Sequence, residues 1–132
     1  MNLDLFQQEK TQSVVEQIKQ LIQSELTSLP IDELVESINE IRQATHDISP
    51  FKTEPVDFVR WVKNPLVHAN DYNPNSVAPP EMELLRVSIE ADGYTQPIVT
   101  MEHDSQREVI DGFHRHRVGK ECPRIQSRVH GY

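Results

Sequence analysis

The residues best able to do chemistry lie in one short run, Asp111-Gly112-Phe113-His114-Arg115-His116-Arg117. A glycine at such a position lets the backbone come close to a ligand. If a strand ends at Asp111-Gly112 and a helix starts at Phe113, the helix start presents unpaired N–H groups and a partial positive charge. Arg115 and Arg117 add fork-shaped donors that match phosphate oxygens. The spacing reads in two ways: as an anion cradle of Gly112, His114 and Arg115 with Arg117 in support, or as a tight turn carrying two solvated arginines. Asp111 is the one candidate catalytic residue. It could orient Arg115, hold a phosphate-bound Mg²⁺ or act as a base, and capping the following helix is an equally good use for it.

Other polar residues offer less. His114 and His116 are two apart and face different sides of a helix, so they cannot chelate one metal as an i, i+4 pair could. His68, His103 and His130 have no matching partners by spacing, and no metal site is expected. Cys122 is the single cysteine, which excludes an internal disulfide and a multi-cysteine zinc site. It reads as a small, semi-buried apolar residue. Gln96, before Pro97, is either a strand-edge glutamine or a group within reach of a nucleotide base. Trp61 and Tyr72 read as packing residues. No Walker loop, nucleophile elbow or alternation of aromatic and basic residues occurs.

Several elements must position the central run. Val14, Val15, Ile18, Leu21, Ile22 and Leu26 recur at helical spacing, and Leu34, Val35, Ile38 and Ile41 repeat the pattern after Ser28-Leu29-Pro30. This predicts an αα-hairpin over residues 1–46, with Pro30 at the first position of the second helix. Its apolar face is expected either to pack on the same chain or to form a homodimer or partner interface. Residues 47–56 read as a proline-containing linker. Phe58–Val62 is rich in β-formers and predicts a strand, and residues 64–80 a loop. A helix is expected from about Pro80, with Leu84, Leu85, Ser88 and Ile89 on one face and Gly93 as its stop. Gln96–Met101 predicts a strand, His103–Gln106 a polar hairpin turn and Glu108–Ile110 the returning strand. Phe113 to about Glu121 predicts the helix after Gly112, ended by Pro123. Arg128–Tyr132 reads as the approach to a further strand.

The chain has 132 residues and a formal net charge of −8, enough for one domain of ordinary size with a short appendage. Residues 1–54 carry 4 basic and 10 acidic side chains, whereas residues 112–132 carry five basic ones against Glu121 alone. An acidic total disfavours indiscriminate duplex binding but leaves room for a local anion site at the basic end. No apolar run approaches the ~18 residues of a membrane span, and the start lacks the features of a signal peptide. A cytoplasmic protein is expected.

Leu84-x3-Ser88-Ile89-x3-Gly93, then Gln96-Pro97-Ile98-Val99, then Val109-Ile110-Asp111-Gly112-Phe113-His114-Arg115 follow the order of the N-terminal domain of ParB-like proteins. The chain resembles that superfamily, which includes sulfiredoxin, over residues 57–121. Gly112-Phe113-His114-Arg115 fills the slot of the ParB Gly-Glu-Arg-Arg motif, and Asn73-Pro74-Asn75 lies where the family often has Asn-Pro-Arg. The acidic helical start and the strings Asn-Asp-Tyr-Asn-Pro-Asn and Asp-Gly-Phe-His-Arg-His-Arg are similar to the IbrB-type branch. Its members are described as co-activators of prophage gene expression, encoded beside a partner similar to phosphoadenosine-phosphosulfate reductases.

The resemblance implies an α+β fold, with an acidic helical hairpin followed by a small mixed-sheet domain over residues 57–132. It also implies a nucleotide-phosphate site at Gly112, His114, Arg115 and Arg117, with Gln96 near the base and a nucleoside phosphate with Mg²⁺ as ligand. It implies a regulatory role, exerted with a protein partner. A phosphoryl-transfer or nucleotide-hydrolysing enzyme using Asp111 is the alternative, and a DNA-binding or nuclease protein a second one. Phe113 stands where sulfiredoxin carries its cysteine, so sulfiredoxin chemistry is not expected. It also replaces the acidic residue of ParB, and the later phosphate and metal motif of ParB would lie past Tyr132. The domain is expected to stop short at its C-terminus, as a fragment, a truncated product or one whose sheet edge another chain completes.

Overall fold

The computed structural model describes residues 2–69 and 79–132. Tyr72 and the Asn73-Pro74-Asn75 string lie outside the described residues. The fold is mixed α+β, with helices first and a small three-stranded sheet after them. The chain divides into two compact units, residues 1–48 and 49–132. Among the described residues no helix is long and apolar enough to cross a membrane.

The first unit is helical because nothing before Pro30 breaks a helix. Helix α1 (Asn2–Leu21) runs into a single π turn, Ile22–Leu26. The Thr27 hydroxyl bonds back to the Gln23 carbonyl at that end, a competition with the backbone ladder that loosens helices. Helix α2 spans Ile31–Asp47. Pro30 is its cap rather than its first residue, and the Pro30 carbonyl accepts the Leu34 N–H at 2.9 Å. Asp32 and Glu33 in the first turn and His46 in the last complement the helix dipole. Leu34, Val35 and Ile38 are half-buried and Asn39 is buried. The apolar stripe of Val14, Val15, Ile18 and Leu21 on α1, continued by Ile22 in the π turn, is 37–59% exposed at each side chain.

In the second unit the sheet order is β1-β3-β2. Strand β1 (Val67–Ala69) runs parallel to β3 (Gln106–Asp111), pairing Val67 with Arg107 and Ala69 with Val109. Strand β2 (Val99–His103) is antiparallel to β3, pairing His103 with Gln106. Asp104 and Ser105 join them with φ of 49° and 64°, the pair of left-handed residues that a type I′ hairpin turn requires. The central strand places Val109 in full burial.

Three helices supply the rest of the core. They are α3 (Pro79–Asp92), α4 (Phe113–Glu121) and α5 (Pro123–Arg128). Ile89, Val118, Cys122 and Ile125 form the buried cluster, with Met82, Leu85 and Tyr94 packed against it. Met82, Leu85 and Ile89 are thus the inner face of α3. Leu84 (70% exposed) and Ser88 point outward, contrary to the expected face. Gly93, at φ +78°, closes α3 by donating to the Ile89 carbonyl at 2.9 Å. The Arg128 guanidinium adds two bonds of 2.8 Å, to the Ile89 and Glu90 carbonyls, satisfying acceptors that a helix end leaves open.

Two expected strands are corrected. Phe58–Val62 joins no sheet. Val67–Ala69 takes the place beside β3, and Trp61 packs edge-on against Tyr94 at 6.4 Å between ring centroids. β-propensity reports a fit to a half-buried surface rather than a commitment to a ladder, and this segment finds that surface on an aromatic ring. Arg128–Tyr132 is not the start of a strand either. Pro123 stops α4 but opens α5 at its first turn, where a missing N–H costs nothing. That helix buries Ile125 and runs through Arg128. It then closes with His130 at φ +55°, Gly131 N–H on the Gln126 carbonyl (3.0 Å) and His130 N–H on the Ser127 carbonyl (3.3 Å). This is a Schellman closure. The last residues dock on the 63–64 segment, with Asn64 N–H on the Gly131 carbonyl at 2.9 Å and Lys63 Nζ 4.3 Å from the Tyr132 ring centroid.

Candidate anion-binding site

The β3–α4 turn is built around Gly112, whose φ of +95° is a left-handed conformation open to glycine and costly for other residues. Space imposes a second demand. A Cβ on Gly112 would lie 2.9 Å from Arg115 Nη2 and 3.3 Å from Cζ, so the arginine folds back over the glycine and a side chain there would displace the guanidinium. Gly112 is also the N-cap of α4, with no side-chain capping bond. The Gly112 carbonyl accepts the His116 N–H at 2.9 Å, and the Phe113, His114 and Arg115 amides have no partner within the helix, as at every helix start.

Arg115 is the centre of the turn. Its side chain is 22% exposed. Nη2 donates to the Pro97 carbonyl at 3.1 Å and lies 3.9 Å from Asp111 Oδ2. Nε is buried and has no hydrogen-bond partner among the described residues. A buried donor without an acceptor costs about 1–3 kcal/mol, so this N–H is an unmet demand beside the helix start. Asp111 ends β3 with its side chain 76% exposed. It does not cap α4, which removes one of the two uses read from the sequence. The Arg115–Pro97 bond brings the segment carrying exposed Gln96 up to the same turn. His114 is half-buried and makes no side-chain hydrogen bond among the described residues.

Arg117 does not join this group. Two positions after Arg115 it points to the other side of α4, where Nε donates to Glu121 Oε1 at 3.2 Å. The basic end is partitioned in the same way: Arg128 caps α3 and Arg115 stands at the turn. Among the described residues no group of three or more His, Cys, Asp or Glu side chains is placed to hold a metal ion.

Sequence reasoning missed two features. His68, from β1, comes to the Arg117 side of α4, and no local signal announced a three-residue strand among prolines. Gly119 looks like a weak spot in a helix, yet its missing side chain makes room for the Tyr94 hydroxyl. The spacing Phe113, His116, Lys120 did hold a signal for one α4 face, since three- and four-residue steps stack on a helix.

No family model matches the chain, and no solved structure does. The chain is 56% identical over 108 residues, 81% of its length, to an uncharacterized Escherichia coli K12 protein, YbdM. Those residues cover 52% of that relative, so the chain spans about half the length of the curated protein it matches.

Proposed function

We propose that the chain is a regulatory module of the ParB/sulfiredoxin-like type that binds a nucleoside phosphate at the β3–α4 turn. In this reading it acts in the cytoplasm as a co-activator of prophage or defence gene expression. The observation that carries the reading is the Arg115 guanidinium, folded over a left-handed Gly112 with a buried Nε that lacks an acceptor among the described residues. A phosphate oxygen there would meet that demand and face the Phe113–Arg115 amides. Gly112, His114 and Arg115 would hold the phosphate and Gln96 would lie on the base side. Exposed Asp111 could take a Mg²⁺ that accompanies the nucleotide. The bare apolar stripe of α1 supports action through a protein partner, for which a protein similar to phosphoadenosine-phosphosulfate reductases is proposed.

One observation favours a second reading, a phosphoryl-transferring or nucleotide-hydrolysing enzyme. Asp111 is unconsumed by capping and stands 3.9 Å from Arg115, where it could orient a metal or water. The test is a thermal-shift panel of ATP, ADP, CTP, GTP and adenosine phosphosulfates with Mg²⁺, on the parent and on Arg115→Ala. A shift with one nucleotide that vanishes in the variant is expected, and unchanged affinity in Arg115→Ala refutes the site. Product formed from that nucleotide, and lost in Asp111→Asn, would select the enzyme.

A further inference from the structure

The face of α4 turned away from Arg115 carries a separate open groove of about 300 Å³, lined by His68 and Ala69 of β1 and Phe113, His116, Arg117, Lys120 and Glu121 of α4. We propose that this groove binds a tetrahedral oxyanion, a phosphate or sulfate group, and that His116 takes up a proton as the anion enters.

Three observations support this. First, the charge is right: Arg117 and Lys120 face Glu121 alone, and Lys120 has no ion-pair partner among the described residues. Second, His116 lines the groove with only 5% of its surface exposed, yet its ring makes no hydrogen bond among the described residues. Its ring nitrogens are not shut off from solvent, so this mostly buried imidazole can present an N–H to an acceptor that enters the groove. Third, the opposite wall is fixed, because His68 Nε2 and Gln106 Oε1 are 2.6 Å apart.

The groups that share the groove with His116 are Lys120, Arg117 and Glu121 on its own helix and His68 on β1. Burial, then Lys120, then His68 hold the His116 imidazole below the ordinary histidine range, which favours its neutral form. A dianion reverses the local field. It makes the imidazolium the favoured form and gains its N–H as a charge-assisted donor. Binding then strengthens as pH falls, and by reciprocity the anion raises the pH at which His116 titrates.

Sulfate suits the test because its charge is constant between pH 5 and 8. His116 is followed by proton NMR in the full chain, against chloride at equal ionic strength. Sulfate is expected to raise the His116 midpoint by about one unit, matched by roughly tenfold tighter binding on the acid side. Lys120→Gln and Arg117→Gln, both surface changes, should each abolish most of the shift, and Arg115→Ala should leave it intact. Phenyl phosphate separates two sources of the group: tighter binding than sulfate identifies an ester whose organic part lies on Phe113, and equal binding a free oxyanion. An unmoved His116 midpoint overturns the proposal, as does a shift that survives both Lys120→Gln and Arg117→Gln. Loss of the shift in Arg115→Ala alone would reassign the anion to the turn.

Discussion

Gly119→Ala is the sharpest test of the packing described above. Within α4 the change alone should help, since alanine outranks glycine in a helix by about 1 kcal/mol. The structure opposes it: the new Cβ would stand 1.7 Å from the Tyr94 hydroxyl oxygen and 3.0 Å from Cζ. The hydroxyl must retreat by roughly 1.7 Å to regain ordinary contact, but its ring is held by the Trp61 edge and the Ile89–Ile125 cluster. Overpacking of this kind costs about 1–3 kcal/mol, which leaves a net loss of about 1–2 kcal/mol after the helix gain. Tyr94→Phe removes the clashing atom and sacrifices no hydrogen bond among the described residues. The remaining 3.0 Å contact then asks the ring to give by a few tenths of an ångström. In that background Gly119→Ala should be near neutral or stabilising. Urea unfolding of the parent, both single variants and the double variant gives the coupling directly. A Gly119→Ala protein as stable as the parent would refute the reasoning, and so would an equal cost in both backgrounds.

Gly112→Ala should destabilise by about 1–2 kcal/mol, through left-handed strain and the Arg115 contact, and a denaturation midpoint checks it. Arg128→Ala strips two carbonyls at the end of α3 of their charged donor and should cost about 1–3 kcal/mol, with faster amide exchange in the last turn of α3. His116 is held below the ordinary histidine value in the fold, so its neutral form contributes stability that is complete above pH ~6.5 and is lost as pH falls from there through the folded midpoint. Chemical denaturation between pH 7.5 and 5 should show this loss, and His116→Asn should flatten it. His130→Gly relieves a left-handed histidine and should raise stability by about 0.5–1 kcal/mol, read as a higher melting temperature.

The legible parts of this fold are those whose causes are local. Helix α3 ends at Gly93, the hairpin turns at Asp104-Ser105 and α4 begins after Gly112, because φ-permissive or polar residues fix each point within four residues of chain. The unread parts depend on distant partners. Val67–Ala69 is a strand only because β3, some forty residues on, offers it a parallel edge. Phe58–Val62 has the stronger β composition, but Tyr94 occupies its aromatic residue. Adjacent Leu84 and Leu85 look interchangeable until the α4–α5 pair selects Leu85. At the turn Gly112 and Arg115 lie against one another, as their local spacing allows. Arg117, close in the chain, faces elsewhere because each residue of a helix turns the face by 100°.

The bare surface of α1 has a thermodynamic consequence. Every described side chain on it is exposed, so its hydrogen bonds rest on local propagation alone, and a twenty-residue helix of ordinary composition is marginal in water. Such a segment fails to share the cooperative melting of the Ile89–Ile125 core. Its amides should exchange with deuterium through fraying, orders of magnitude sooner than those of β3. Far-ultraviolet ellipticity should accordingly decline along a sloping baseline well before the main transition. A protein bound to α1 would therefore register as a steepening of that slope into a single step, a readout of occupancy that requires no label.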